Sequence, residues 1–146
     1  MMRALGTTYR EGSDLSFTPL WNDGPIIAAH ALLALFAVGL GGFQLAMEKG
    51  TLRHRSLGYV WVSAMGVVAL SSFWIHELRV VGPFSPIHLL SVLVLFSLVS
   101  AVLAARRGNI RLHRITLVQL YIFGLILTGA FTFMPGRTMH AVLFGG

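Results

Sequence analysis

The sequence contains no cysteine and few charged residues: 11% of its 146 residues are charged, whereas 55% are hydrophobic. Without cysteine there is no disulfide, no iron–sulfur cluster, no thiolate metal site and no cysteine nucleophile. Soluble domains carry roughly 25% charged residues, and a domain of this size buries only about 60–70% of the surface that its unfolded chain exposes. A water-soluble fold cannot hide this much apolar surface, so the composition predicts an integral membrane protein.

Four stretches are long enough to cross a bilayer, which takes about 20 apolar residues. None of them contains Asp, Glu, Lys or Arg, and none alternates as the strands of a membrane barrel do. The short connections between them make successive helices antiparallel neighbours. We expect an all-α fold: a transmembrane four-helix bundle of two tandem helical hairpins over residues 25–146, after an extramembrane or interfacial tail over 1–24. The predicted spans are residues 25–47, 57–75, 87–105 and 115–134.

Acidic residues number five against eleven Lys and Arg, and none lies in a predicted span. The connections before the second and fourth spans hold most of the basic residues and a single acid, Glu48. By the positive-inside rule these connections are cytoplasmic and both termini lie outside. The expected partners there are anionic lipid headgroups, and not nucleic acid. The lack of membrane-embedded acids argues against a proton-coupled pump.

The two halves of the chain share a pattern of histidine, glycine and basic residues. His30 and His88 are each followed, twenty residues later, by a glycine that opens a basic turn with a His-Arg pair. The second half has one extra residue before that pair. The pattern predicts a parallel internal repeat about an axis along the membrane normal. It pairs His30 with His88 near the outer side, and His54 with His113 near the inner side.

Histidines on the outer side are the main candidates for a cofactor site, because an imidazole in a membrane is costly unless it is paired or bound. One interpretation is haem b held between His30 and His88, with His76 and His140 as further candidate ligands. A second is a transition metal held by His30, His76 and His88. The third is that these side chains cap helix ends or reach the headgroups and bind no cofactor.

The basic turns on the inner side form a candidate site for lipid phosphate or another anion. Helix N-termini carry a partial positive charge that adds to the charge of the side chains. A quinone or an acidic partner protein is the alternative occupant, and Gln44 and Gln119 lie close enough in sequence to join the site. The candidate residues are Arg53, His54, Arg55, Arg111, His113 and Arg114.

Small and aromatic residues inside the spans are interpreted as packing elements. Gly39, Gly41 and Gly42 thin one side of the first helix, which favours close approach of a neighbouring helix or of a flat cofactor. Trp61 and Trp74 are expected in the aromatic belt at the membrane interface.

Several of these segments together resemble the DUF2306 family of small bacterial membrane proteins, a domain of unknown function. The likeness covers most of residues 25–146 and implies a multi-pass protein of the bacterial inner membrane, while it leaves the activity open. The segments are GTLRHRSLG at 50–58, SFWIH at 72–76, GPFSPIH at 82–88, RGNIRLHR at 107–114 and PGRTMH at 135–140.

The leading functional hypothesis is a small haem-binding or quinone-linked electron-transfer protein with histidine ligands on the outer side. One alternative is a non-catalytic accessory or assembly subunit of a larger membrane complex, and another is a carrier of metal or solute lined by histidines. The sequence holds no Walker loop, HExxH motif or Ser–His–Asp set, so it predicts no particular enzyme.

Overall fold

The computed structural model describes residues 24–75 and 86–135, together with 140, 142 and 144. All four helices in this part are long and apolar enough to span a membrane, and it contains no β-strand. The all-helical fold with four spans is thereby confirmed, whereas the predicted tail lies outside the described residues except for Gly24. The helices are α1 (Pro25–Ala46), α2 (Leu52–Ser71), α3 (Pro86–Arg106) and α4 (Ile110–Phe131).

Helices α2 and α4 begin before the apolar stretches that were predicted as spans. The helices begin at Leu52 and Ile110, before the predicted spans at 57 and 115, because basic residues next to the turns already lie in the first turns of the helices: Arg53, Arg55, Arg111 and Arg114. Side chains at the N-caps set the true starts: Thr51 Oγ1 accepts from the backbone N–H of His54 at 3.1 Å, and Asn109 Oδ1 accepts from that of Leu112 at 3.1 Å. Such caps supply partners that the first N–H groups of a helix lack.

The turns 47–51 and 107–109 lie at one end of the bundle, called here the basic end; the opposite end, with His30 and His88, is the distal end. Gly50 (φ 81°) and Gly108 (φ 75°) adopt the left-handed conformation that a side chain disfavours. Glycine at these positions therefore allows each pair of helices to reverse within a few residues.

Each helix packs mainly against its hairpin partner; α2 also packs against α3, and α1 packs against the middle of α4. This arrangement places α1 and α3, which carry His30 and His88, at diagonal corners of the bundle. A two-fold repeat also gives this arrangement, although the repeat itself stays a prediction. Between the helices lies a core of mostly small or medium-sized residues: Ala37, Trp61, Ala64, Met65, Ala69, Val94, Leu98, Leu120 and Leu125.

Helix α1 accepts hydrogen bonds from two aromatic side chains, one on its hairpin partner α2 and one on α4 of the other hairpin. Trp61 Nε1 donates to Ala37 O at 2.9 Å, and Tyr121 OH donates to Val38 O at 3.1 Å. Trp61 is only 4% exposed, so its predicted place in the interfacial belt is wrong: its N–H finds a carbonyl inside the bundle. Gly41 makes room for both rings, as the glycine pattern predicted, because a Cβ there would lie 2.7 Å from each.

Helix α4 changes its hydrogen-bond pattern partway along its length. Residues Leu120–Leu127 form a π-helix, between α-helical turns that end at Gln119 and resume at Thr128. A π-helix is wider than an α-helix and is rare outside functional or structurally special positions. Tyr121, which reaches α1, lies in this segment.

Candidate functional site

His30 lies in the second turn of α1 and is held by a serine of α2. Its Nδ1 lies 2.7 Å from Ser71 Oγ, and that hydroxyl lies 2.9 Å from Val68 O. A carbonyl oxygen can only accept, so the hydroxyl proton goes to Val68 and the hydroxyl oxygen accepts from Nδ1–H. The proton of the neutral ring is thereby fixed on Nδ1. The other nitrogen, Nε2, then carries a lone pair that can accept a hydrogen bond or bind a metal.

A cavity of about 270 Å³ lies beside His30, between α1 and α2. His30 and Ser71 are its polar side chains, and the other residues that line it are apolar: Pro25, Ile26, Ala29, Leu33 and Val67. Ile26 and Val67 are about half exposed, so the cavity opens sideways, toward the surface that lipid covers in a bilayer. The described residues therefore form an apolar recess with one imidazole, that of His30.

His88, the predicted partner of His30, contacts the same end of α2 through a different residue. Its ring centroid lies 5.4 Å from that of Phe73, with the planes tilted by 44°. Phe73 belongs to the 3-10 turn Ser72–Trp74 that directly follows α2. The buried hydroxyl of Ser72, in this turn, is hydrogen-bonded to the buried hydroxyl of Ser91 on α3. This bond joins the end of α2 to α3. The distal end of α2 thus positions both rings.

The remaining outer candidates have different surroundings. His140 Nδ1 donates to Phe133 O at 2.9 Å, and its ring lies 4.9 Å from that of Phe144. His76 lies outside the described residues. Among those described, no group of three or more His, Cys, Asp or Glu side chains could hold a metal ion. The metal site with His76 as a ligand stays a prediction.

The histidines of the basic end differ in their hydrogen bonds. His113 Nδ1 donates to Ala101 O of α3 at 3.0 Å. His54 Nδ1 is buried and has no hydrogen-bond partner in the described part of the chain, although His54 lies within electrostatic range of Lys49 and His113. Gln44 joins this group, as predicted, by donating from Nε2 to the backbone oxygen of His54 at 3.1 Å.

The basic side chains predicted to bind lipid or anions lie on the surface, where headgroups would reach them. Gln119, which was predicted to lie near them, is exposed as well. Of the six predicted residues, the exposed ones are Arg53, Arg55, Arg111 and Arg114, whereas His54 and His113 are half-buried.

Sequence reasoning did not find Ser71, the residue that orients His30. Serines in membrane helices usually bond to their own backbone, as Ser71 does to Val68, and this makes them uninformative in sequence. His30 and Ser71 are 41 residues apart, and only the packing of α1 against α2 shows that they form a pair.

The fold and this recess define a four-span membrane protein with a histidine site between two helices near one end. A family model described as a predicted membrane protein, DUF2306, matches residues 27–143. The chain therefore belongs to the DUF2306 family, and the resemblance seen in its motifs is confirmed. No curated protein and no solved structure matches it.

Proposed function

We propose that the protein is a quinone-linked membrane protein that binds a quinol headgroup in the recess beside His30. The observation that carries this proposal is the hydrogen bond from His30 Nδ1 to Ser71, because it leaves Nε2 as an acceptor. A quinol hydroxyl is a donor, and its aromatic ring suits the apolar walls of the recess. The quinol hydroxyl would donate to Nε2 of His30, while Ser71 holds the opposite edge of the imidazole ring.

The size and opening of the recess support a ligand of this kind. Pockets for drug-sized ligands measure about 300–1,000 Å³, so a recess of about 270 Å³ suits a single ring with small substituents. Quinols dissolve in the bilayer, and the recess opens between α1 and α2 toward lipid. A headgroup could therefore enter sideways, with its isoprenoid tail remaining among the lipids.

The hydrogen bond to Ser71 also fixes the orientation of the His30 ring, as a partner on the far side of an imidazole does. Nε2 can therefore accept the quinol hydroxyl without any reorientation of the ring.

Titration with decyl-ubiquinol tests the proposal, using the full chain in nanodiscs and a fluorescence or calorimetric readout. His30→Phe keeps an aromatic ring but removes the acceptor, and we expect it to weaken binding about fivefold, since one hydrogen bond contributes roughly 1 kcal/mol. Ser71→Ala should weaken binding less, and Ser71→Thr should restore it.

His140→Phe is the matched control, because it makes the same change at a histidine that does not line the recess. Unchanged affinity in this variant, beside the loss in His30→Phe, supports the proposed site. Equal affinity of His30→Phe and the unaltered protein would show that the quinol does not use His30.

Haem b held by His30 and His88 is the second candidate. The same hydrogen bond favours it, since histidines that bind a metal through Nε2 usually donate from Nδ1 to a neighbouring group. The contact of both histidine rings with one end of α2 also favours it. Visible absorption of protein expressed with added haem tests it: a Soret band that disappears in both His30→Phe and His88→Phe supports bis-histidine ligation. Complete lack of a Soret band in the unaltered protein removes this candidate.

A further inference from the structure

A second cavity, of about 440 Å³, lies at the basic end, where α3 ends and α4 begins. It is separate from the recess at His30, and the described residues that line it all belong to the second hairpin. None of the described residues that line it is acidic. They are Ser100, Leu103, Ala104, Arg107, Asn109 and Leu112.

The polar groups of this cavity are mainly hydrogen-bond donors. Arg107 contributes a guanidinium, which can only donate. Asn109 uses its Oδ1 to cap α4, by accepting from the backbone N–H of Leu112, and this leaves its NH2 group as a donor. Ser100 adds a hydroxyl. Donors of this kind, with a positive charge among them, match the oxygens of a phosphate.

The wall of the cavity along α3 is mostly apolar. Leu103 and Ala104 belong to the last turn of α3, and Ser100 lies one turn deeper in the same helix. The cavity thus has a charged rim at the helix ends and a wall along α3 that is apolar except for the Ser100 hydroxyl. A phospholipid has the same order of polarity, from its phosphate to its acyl chains.

We propose that this cavity binds one anionic phospholipid. The lipid phosphate contacts Arg107 and the Asn109 amide, and an acyl chain packs against Leu103. Anionic lipid is favoured over zwitterionic lipid because the basic end holds seven Lys and Arg residues and one acid, Glu48. A choline or ethanolamine group would add a further cation to this cluster, whereas the hydroxyls of a glycerol headgroup would not. The site differs from the predicted anion-binding residues, none of which lines the cavity.

Lipid retention tests the proposal with the full chain. The protein is equilibrated with vesicles of equal parts phosphatidylglycerol and phosphatidylcholine, extracted in mild detergent, and examined by native mass spectrometry. We expect one retained phosphatidylglycerol per chain. Arg107→Gln should reduce this retention at least about tenfold, the equivalent of one charge-assisted hydrogen bond.

Arg106→Gln is the matched control, since it removes the same charge from the adjacent residue, which does not line the cavity. It should change the retention less than twofold. Asn109→Asp is the second variant: it keeps an oxygen for the cap but replaces the donors with a carboxylate, so it should fold and lose the lipid.

Three results would overturn the assignment. Equal losses in Arg106→Gln and Arg107→Gln would mean that a diffuse surface charge attracts the lipid. Equal retention of phosphatidylcholine would mean that the cavity does not select anionic lipid. Thermal stabilisation in detergent by inorganic phosphate, as large as that by phosphatidylglycerol, would mean that the cavity takes free phosphate.

Discussion

The hairpins α1–α2 and α3–α4 begin their second helices in the same way but end their first helices differently. Thr51 and Asn109 are both N-caps whose side chain accepts from the backbone N–H three residues later. Helix α3 ends in a Schellman motif. In this motif Gly108 N–H donates to Ala105 O, and Asn109 N–H donates to Ala104 O. At the end of α1 the Lys49 ammonium instead donates to backbone carbonyls, at 2.5 and 2.6 Å.

The histidines of the two turns differ because of one extra residue. His54 is the third residue of α2, and His113 is the fourth residue of α4. One residue turns a side chain by about 100° around the helix. His113 consequently reaches the Ala101 carbonyl of its own hairpin, whereas His54 Nδ1 is buried without a partner in the described chain. Similar sequence motifs therefore need not make the same contacts.

The largest expected effect is at the junction of the hairpins. Gly41→Ala would place a Cβ against the rings of Trp61 and Tyr121, at 2.7 Å, and such overpacking costs about 1–3 kcal/mol. Gly39→Ala is the control, because nothing lies within 4 Å of a Cβ there. Unfolding in SDS, followed by circular dichroism, measures both variants. A cost for Gly39→Ala as large as that for Gly41→Ala would contradict the role of the junction.

The next largest loss of stability is expected at the left-handed glycine that each of the two turns contains. Gly50→Ala and Gly108→Ala each force a side chain into the left-handed conformation, so each should lower the free energy of unfolding by about 1 kcal/mol. The same SDS titration measures them. A loss confined to Gly108→Ala would show that only the Schellman turn needs its glycine and that the hairpins differ more than their backbones indicate.

The histidines should respond to substitution in opposite directions. His113→Leu removes an interhelical hydrogen bond, which in membrane proteins contributes about 0.6 kcal/mol on average. His54→Leu removes a buried nitrogen without a partner among the described residues, so it should leave stability unchanged or raise it. The two variants are compared in one titration. Destabilisation by His54→Leu that exceeds that by His113→Leu would reverse this assignment.

The smallest effect distinguishes the two helix ends. Lys49→Met removes a cation from the C-terminal carbonyls of α1 and should cost about 0.3–1 kcal/mol at low ionic strength. Salt screens exposed charges, so the cost should shrink in 1 M NaCl, while that of Gly108→Ala should not. Equal salt dependence of the two variants would argue against the role of Lys49.

The sequence predicted well what depends on local composition. Long uncharged stretches identified four spans, and the shared turn motif at Gly50 and Gly108 identified where the chain reverses. The starts of α2 and α4 were missed because hydropathy detects lipid-exposed segments and does not see capped helical turns that carry charge. Trp61 was misplaced for a related reason: an indole N–H is tolerated within a bundle wherever a carbonyl is in reach, and that depends on a neighbouring helix.

The sequence by itself determined the class of protein, the number of spans, the family and the accumulation of positive charge at one end, because each follows from residue type and order along the chain. Only the tertiary structure decided which polar atoms meet. The pairing of His30 with Ser71, and the separate surroundings of His88, depend on how α1 and α3 rotate and slide against α2. The hydropathy pattern does not distinguish between these packing arrangements, because every rotation of a helix that keeps its apolar residues in lipid agrees with it.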